Sequence, residues 1–514
     1  MAGAPVRSRT PRPGVVATLL GVAGVVLTLL AVPTNAAGAP GAPAAPAAPA
    51  VVSAPAGQAR QARRADTRPN VVLFLTDDMR TDDLRYMPRT KAIVDAFGMT
   101  FRNAVSPHPL CCPARAELLT GQYAQNNGVR HNNGSRGGFR AFDDRRTVGT
   151  WFSRAGYRTG YVGKYLNGYV KGSRRSPGWT SWEPLVGAVA DYYSFNFYDR
   201  PTGKKGYVTT EIRDRTRRMV TDFSASGAPF LMYVNHNAPH KRVTRARGGG
   251  WLKLPPPADP ETPTYGRLYA GARNPAEAKP SYDRPRPGAR RLKRPAAMQE
   301  LFLARVRALR SVDDAFVDLL LALRDTGELD HTYVVFTSDN GYAVGEHALD
   351  TKNQLVREIL DVPLLVLGPG VERGGTSAEQ VSLVDVPATF LDVAGVRANH
   401  RIDGLSLVPL LHGAKRFGRD TTLVQTGKKA RPSQRYQGWA DRGVQTRRYL
   451  YVRDVNHGDE QLYDRRKDPY ELHDVSAKRR YARTIAELRR RYEALASCRG
   501  ARCNRVFGRL TGPR

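Results

Sequence analysis

An α/β fold, with a mostly parallel central sheet sandwiched between helices and a smaller α+β region at the C-terminal end, is predicted by three observations. Short apolar runs rich in β-branched residues alternate with helical patterns. Polar and acidic residues stand at the carboxyl ends of the runs, and after about residue 420 the pattern changes to short strands and hairpins. Open parallel sheets carry their ligand crevices at those carboxyl ends, so the acidic tips are the first places to look for chemistry. The 514 residues, 41% hydrophobic and 25% charged, suffice for a large core and exclude disorder throughout.

At the N-terminal end, Arg7, Arg9 and Arg12 precede an apolar run from Gly14 to Val32, and small residues follow around Thr34 and Ala36. This is the order of a secretory signal over residues 1–36. An uncleaved membrane anchor is the alternative, since the run approaches the ~18 residues of a span. Residues 37–67 are Ala/Pro-rich and read as an extended linker, so the fold is expected to begin at Arg68. No other stretch is apolar enough to span a bilayer, which predicts a secreted, extracellular protein with no stable membrane span.

The run Val71 to Leu75 reads as a fully buried parallel strand ending at Thr76, Asp77 and Asp78. In "PHPLCCPARAELLTG", Pro113 suits a first helical position, Ala114 to Leu119 propagates a helix, and Thr120 and Gly121 stop it. Cys111 and Cys112 then sit at the positive end of that helix, a place for a reactive group. A helical period through Val148, Trp151, Phe152 and Ala155 stops at Gly156 and leads into a strand ending at Lys164. The strand Phe230 to Val234 runs into His236 and His240. Residues 241–296 form a Pro/Arg-rich insertion, too long for an ordinary connection and read as a surface or cleft-rimming loop. An amphipathic helix follows (Val312, Phe316, Leu319, Leu320, Leu323), then the strand Tyr333 to Phe336 ending at Ser338, Asp339 and Asn340. "VPLLVLGPG" is one more strand. These elements place a main domain at 68–415 and a C-terminal subdomain at 416–514, the latter closed by the helix "ARTIAELRRRYEALASC".

Four cysteines are present. Outside the cytoplasm Cys498 and Cys503 are expected to pair as a local disulfide. Cys111 and Cys112 are left over, because neighbouring cysteines are strained partners for one another. The formal charge of +33 invites a polyanionic ligand, with a merely solvated arginine-rich surface as the plain alternative. It is spread along the chain, and no zinc finger, helix-turn-helix or RNA-binding signature accompanies it, so nucleic acid is not an expected partner. Taken alone, Asp77–Asp78 or Asp339–Asn340 reads as a helix cap or a solvated turn. Together, at matching ends of one sheet, they make an all-oxygen set suited to Ca²⁺, with Mg²⁺ as the alternative. Zinc would want a tighter group of His or Cys.

The motif Cys111-x-Pro113-x-Arg115, continued by Leu118, Leu119, Thr120 and Gly121, resembles the signature of the sulfatase family. "GKYLNGY", "DGLSLVPLL" and "QLYDRRKDPYEL" follow in the family's order, and "CCPAR" with "GKYLNGY" is most similar to the N-acetylglucosamine-6-sulfatase branch. The resemblance implies an alkaline-phosphatase-like fold and a formylglycine (3-oxoalanine) made from Cys111 by a formylglycine-generating enzyme, its hydrated aldehyde being the nucleophile. It implies calcium held by Asp77, Asp78, Asp339 and Asn340 together with modified Cys111. It makes Arg115 the residue that holds the hydrate, Lys164 and Lys352 the lysines that grip sulfate oxygens, and His240 the histidine near the leaving oxygen. One departure stands out: the position two after Lys164, a histidine in many relatives, is Leu166, followed by Asn167, with His236 as a substitute candidate. Alone, Lys164 reads as a solvated strand end and His240 as a loop residue.

A sulfate ester spreads one negative charge over its non-bridging oxygens, so a hard cation, two lysines and an arginine suit displacement at sulfur. The expected function is therefore that of a secreted sulfatase acting on a sulfated small molecule or a sulfated glycan such as a glycosaminoglycan, with N-acetylglucosamine-6-sulfate or an aryl sulfate as substrate. The alternatives are a phosphonate monoester or phosphodiester hydrolase using the same site, and a non-catalytic binder of sulfated polymers.

Overall fold

The apolar run that opens the folded part is a strand, β1 (Asn70–Thr76), buried along its whole length, as an uninterrupted run at the centre of a parallel sheet must be. The computed structural model describes residues 66–187, 191–199, 206–246, 250–286, 291, 292, 294–430, 437–508 and 510. The leader expected over 1–36 and nearly all of the linker lie outside the described residues. After β1 come β2 (Met99–Val105), β3 (Arg158–Gly163), β4 (Ser181–Val186), β5 (Asn196–Phe197) and β6 (Phe230–Asn235). A separate hairpin, β7 (Arg242–Arg245) and β8 (Trp251–Leu254), stands inside the insertion. Then follow β9 (Thr332–Ser338), the short pair β10 (Ala343–Val344) and β11 (Asp350–Thr351), β12 (Leu364–Leu367) and β13 (Gly375–Ser382).

Nine of these strands form one sheet in the order β13-β2-β12-β9-β1-β6-β3-β4-β5. The run β9-β1-β6-β3-β4 is parallel throughout. The strand read from "VPLLVLGPG", β12, is antiparallel to both its neighbours. Its connection from β9 carries no crossover helix, only the β10/β11 pair and the four-residue helix Arg357–Leu360, and without a crossover a chain returns antiparallel.

Side chains alternate across β1. Phe74 packs with Phe336 of β9 and with Phe316 of the helix Ala296–Asp325 on one face. Val71, Leu73 and Leu75 face the larger cluster that holds Leu118, Tyr161, Tyr233 and Phe390. The long helix starts at Ala296, upstream of the apolar stripe read from sequence, because Leu301, Phe302, Val306 and Leu309 continue that stripe. At the C-terminal end an antiparallel sheet runs β14 (Thr422–Gly427), β15 (Trp439–Gln445), β16 (Tyr449–Asp454), β17 (Glu460–Asp464). The helix Ala482–Ala496 buries Ile485, Leu488, Tyr492 and Leu495 against it. Cys498 and Cys503 are bonded, with Cα atoms 5.1 Å apart. Among the described residues, no helix is long and apolar enough to cross a membrane.

His236, just after β6, is sealed beneath the sheet. Its ring lies 4.8 Å from that of Phe74, neither ring nitrogen has a hydrogen-bond partner, and burial, then the Arg213 charge, push it down to about 3. An unfolded histidine titrates near 6.5, so the unfolded chain binds the extra proton between those values. Stability from the neutral ring is complete above about pH 6.5 and is lost as pH falls toward the folded value. Urea unfolding between pH 4 and 6 is expected to show a slope of stability on pH smaller by about 1.4 kcal/mol per unit in His236→Phe than in the parent. Equal slopes would mean that the ring is protonated in the fold.

Candidate active site

Register brings the acidic tips together. In the parallel pairing of β1 with β9, Thr76 lies opposite Ser338, so Asp77 and Asp339 leave the sheet side by side. On the other flank Leu75 pairs with Asn235 of β6, and Asn235 pairs with Gly163 of β3. Lys164 follows at once, its N–H donating to the Asn235 carbonyl (2.9 Å). Gly163 has φ 92°, and a Cβ there would sit 1.9 Å from the Asn235 oxygen. Only glycine lets the strand end so close to its neighbour. Four adjacent strand ends thus deliver one cluster.

The cysteine helix closes it from above. It spans Cys111–Thr120 and ends at Gly121 in the left-handed region, as the sequence predicts. It starts two residues earlier than Pro113, which is tolerated because the first turn's N–H groups need no helical acceptor. One of those N–H groups, that of Cys112, donates to Asn132 Oδ1 (2.8 Å). Cys111 Sγ lies 3.6 Å from Asp77 Oδ1, 3.6 Å from Lys164 Nζ and 2.8 Å from Lys352 Nζ. Burial, then the Asp77 charge, push the Cys111 thiol up to about 11, so it is protonated at neutral pH and a poor nucleophile as a thiol. Cys112 turns away into the core and accepts from the Asn167 N–H.

Charges around Cys111 are matched in number. Asp77, Asp78 and Asp339 are buried. Lys164 pairs with Asp77, Lys352 Nζ is 2.5 Å from Asp78 Oδ1, and Arg115 donates from Nε to Asp339 Oδ2 (2.9 Å) with Nη2 in ion-pair contact with the same oxygen. Burial opposes ionisation of Asp77, but Lys164, His240, Lys352 and Arg115 together outweigh it and hold the carboxyl well below its usual range. Asp78 is lowered against its burial mainly by Lys352 and His240. Asp339 goes the other way: burial and the neighbouring Asp77 push it up to about 6. Asn340 donates to Asp78 Oδ1 (2.6 Å) while its own side-chain oxygen is buried without a partner.

These donors fit a hard divalent cation. One buried amide oxygen is orphaned, and one carboxyl is held up by burial and by the negative charge of Asp77, both of which an ion among them would relieve. Ligand atoms of Asp77, Asp78, Cys111 and His240 lie within 4.8 Å of one another. His240 donates or accepts at Nδ1 with the Lys241 carbonyl (2.6 Å); that oxygen only accepts, so Nδ1 carries the proton and Nε2 faces Asp78 Oδ2 at 3.7 Å. Burial, then Lys164, push this ring down to about 4.

Asp77, Asp78, Cys111 and His240 gather at one point, and Lys164, Lys352, Arg115, Asp339 and Asn340 are joined to them by ion pairs or hydrogen bonds, whereas His236 lies sealed against Phe74. Leu166 is wholly buried in the core, so the position of the missing histidine offers no proton carrier. Two supporting residues escaped the sequence reading. Asn235 accepts from Arg115 Nη1 (3.4 Å) and stands at a strand end, the same signal that marks Asp77 and Asp339. Arg305 donates to the Asp78 carbonyl (2.6 Å) and to Asp83 (2.9 Å) from the long helix, more than 220 positions away, and no local pattern marks it.

With this geometry in hand, the chain matches two family descriptions: "Sulfatase" over residues 69–396 and "N-sulphoglucosamine sulphohydrolase, C-terminal" over 345–497. It is 35% identical over 374 residues to the extracellular sulfatase SULF-1 homolog of Drosophila melanogaster, covering 69% of this chain and 32% of that one. It is 33% identical over 387 residues to the N-acetylglucosamine-6-sulfatase of Homo sapiens, covering 70% and 67%. The chain thus spans about a third of the fly relative's length and two thirds of the human one's. A solved structure described as a complex with its substrate D-glucosamine-2-N,6-O-disulfate superposes with TM-score 0.67 at 23% identity, over 83% of this chain and 97% of that one. The phosphonate monoester hydrolase of Agrobacterium radiobacter superposes with TM-score 0.64 at 19% identity, over 84% and 96%.

Removing Arg115 strands the buried carboxyl of Asp339. Arg115→Met is expected to lower unfolding free energy by roughly 3–5 kcal/mol in urea, and a loss below about 1 kcal/mol would show that Asp339 is compensated elsewhere.

Proposed function

Because the chain belongs to the sulfatase family, we propose that it is a secreted sulfatase that removes sulfate from 6-sulfated N-acetylglucosamine units of a glycan, using a formylglycine made from Cys111 and a bound calcium ion. The observation that carries this reading is the placement of Cys111 at the first turn of its helix, with Asp77, Lys164 and Lys352 around its sulfur. The names of the relatives above support the substrate class, and the extracellular relative supports secretion.

Asp77, Asp78, Asp339 and Asn340 would hold the calcium with the side chain at position 111. The ion supplies positive charge for anion binding, and formylglycine, as its hydrate, supplies a hydroxyl nucleophile. Three carboxylates against Arg115, Lys164 and Lys352 leave the bare cluster near neutral, so a divalent cation makes it net positive and ready for a sulfate monoester. Lys164 and Lys352 reach the position of the reacting atom and are set to take non-bridging oxygens. Arg115, fixed by Asp339 and by the Lys164 carbonyl (2.8 Å), holds the side chain at 111 from the helix side. The neutral His240 ring meets an anion at Nε2; the incoming negative charge favours uptake of a proton from water there, and that proton goes to the ester oxygen as its bond to sulfur breaks.

Three measurements test this. Mass spectrometry of the tryptic segment Asn103–Arg115 from the secreted protein is expected to show a loss of about 18 Da at Cys111. A panel of sulfated sugars and aryl sulfates is expected to be cleaved by the parent and not by Cys111→Ala. An unmodified thiol with sulfated-polymer binding would establish the non-catalytic reading, and a strong preference for phosphonate or phosphate esters of the same alcohol would establish the phosphorus one. Calcium at 100 times its dissociation constant is expected to stabilise the parent by about 2.7 kcal/mol and to leave Asp339→Asn unmoved in thermal unfolding. The same shift in both proteins would place the ion elsewhere.

A further inference from the structure

A cleft of about 1180 Å³ opens at the seam between the β2–β13 edge of the central sheet and the turns of the C-terminal sheet. It exceeds the ~300–1,000 Å³ of an ordinary small-molecule pocket, and no residue of the Cys111 cluster lines it. Eight arginines line it against three carboxylates. Those carboxylates are already engaged. Asp361 accepts from Arg357 (3.2 Å), Glu379 takes the Phe417 N–H (3.1 Å), and Asp420 takes the N–H groups of Phe507 and Gly508.

Some of the arginines are engaged too: Arg419 with Asp385 and Arg448 with Asp464. Arg416, Arg447 and Arg466 differ. They are exposed, come from three separate turns, and have no carboxylate partner among the described residues. Deeper in the wall, Arg465 gives Nε to Glu471 but keeps a buried Nη2 with no hydrogen-bond partner, and buried Gln380 keeps its amide nitrogen likewise. Unmatched donors at a buried wall are costly unless something accepts from them. Guanidinium groups present forked donors that fit sulfate and carboxylate oxygens.

We propose that this cleft is a second glycan site, which holds a sulfated, carboxylated stretch of the same polymer whose ester is cut at Cys111. The proposal rests on the sulfatase reading above for the identity of the polymer. Charges from three turns suit a ligand with repeating anionic groups, whereas a single small anion would fill only part of the space. Anchoring the polymer here raises the local concentration of further ester groups at the catalytic cluster without any new contact there.

The test compares the full-length parent with Arg416→Ser/Arg447→Ser/Arg466→Ser, and with a control of equal charge loss on exposed arginines elsewhere, Arg154→Ser/Arg217→Ser/Arg218→Ser. Binding to immobilised heparin in 0.15 M salt is expected to weaken about tenfold in the cleft variant, with a salt slope shallower by two to three, and to change little in the control. Sulfate release from the polymer should show a KM about tenfold higher in the cleft variant, while kcat/KM on a monomeric sulfated sugar stays that of the parent. Equal weakening in both triple variants, or equal retention of the parent on DNA, would reduce the cleft to a general basic surface and overturn the proposal. Cleft-dependent heparin binding by a parent that cleaves no sulfate ester would leave the glycan site standing and sink the sulfatase reading instead.

Discussion

Three carboxyl groups buried side by side repel one another and lose their hydration, and the cluster around Cys111 exists only because cations are buried with them. Asp77, Asp78 and Asp339 each have a partner, in Lys164, Lys352 and Arg115, and each partner comes from a different part of the chain. Break one of these pairs and an unpaired charge is left in a dry site, which is far costlier than never having buried the pair. The same balance would set the chemistry of the proposed function. A cluster near neutral when bare turns positive on gaining a divalent cation, and a sulfate monoester is an anion.

The sheet is what makes this arrangement repeatable. Parallel strands in register end at one level, so Asp339, Asp77 and Lys164, one step past β9, β1 and β3, and Asn235, the last residue of β6, are neighbours regardless of their distance in sequence. The strands are held by apolar packing on both faces, Phe74 with Phe316 and Phe336 on one and the Tyr161–Tyr233 cluster on the other. Position is therefore fixed by the core, and the charged tips need not organise themselves. The helix at Cys111 adds its own constraint, being buried from Cys111 to Thr120 and pinned by Arg115 across to β3.

Much of this was legible in the chain because burial writes itself into composition. An apolar run with Asp at its end announces β1 and β9, and Gly121 announces the end of the cysteine helix. The strand β2, "MTFRNAV", escaped because an exposed Arg102 interrupts it at the weaker side of the sheet, and β13 escaped because "GTSAEQVS" is half exposed at the edge. Reversal of β12 depends on what the connection lacks, which periodicity does not report. Arg305 was invisible for a different reason: an arginine on a helix looks solvated until the fold brings the Asp78 carbonyl and Asp83 to it. The arginine-lined cleft has the same origin, since its arginines come from five separate segments, two of them helical, whose charges look like ordinary surface in the sequence.

The most direct measurement is a crystal structure of the secreted protein grown with calcium. The account predicts one ion about 2.3–2.6 Å from oxygens of Asp77, Asp78, Asp339 and Asn340, with an oxygen of the side chain at position 111 completing the set. An ion bound by other residues, or those four side chains turned onto their lysine and arginine partners in saturating calcium, would contradict it.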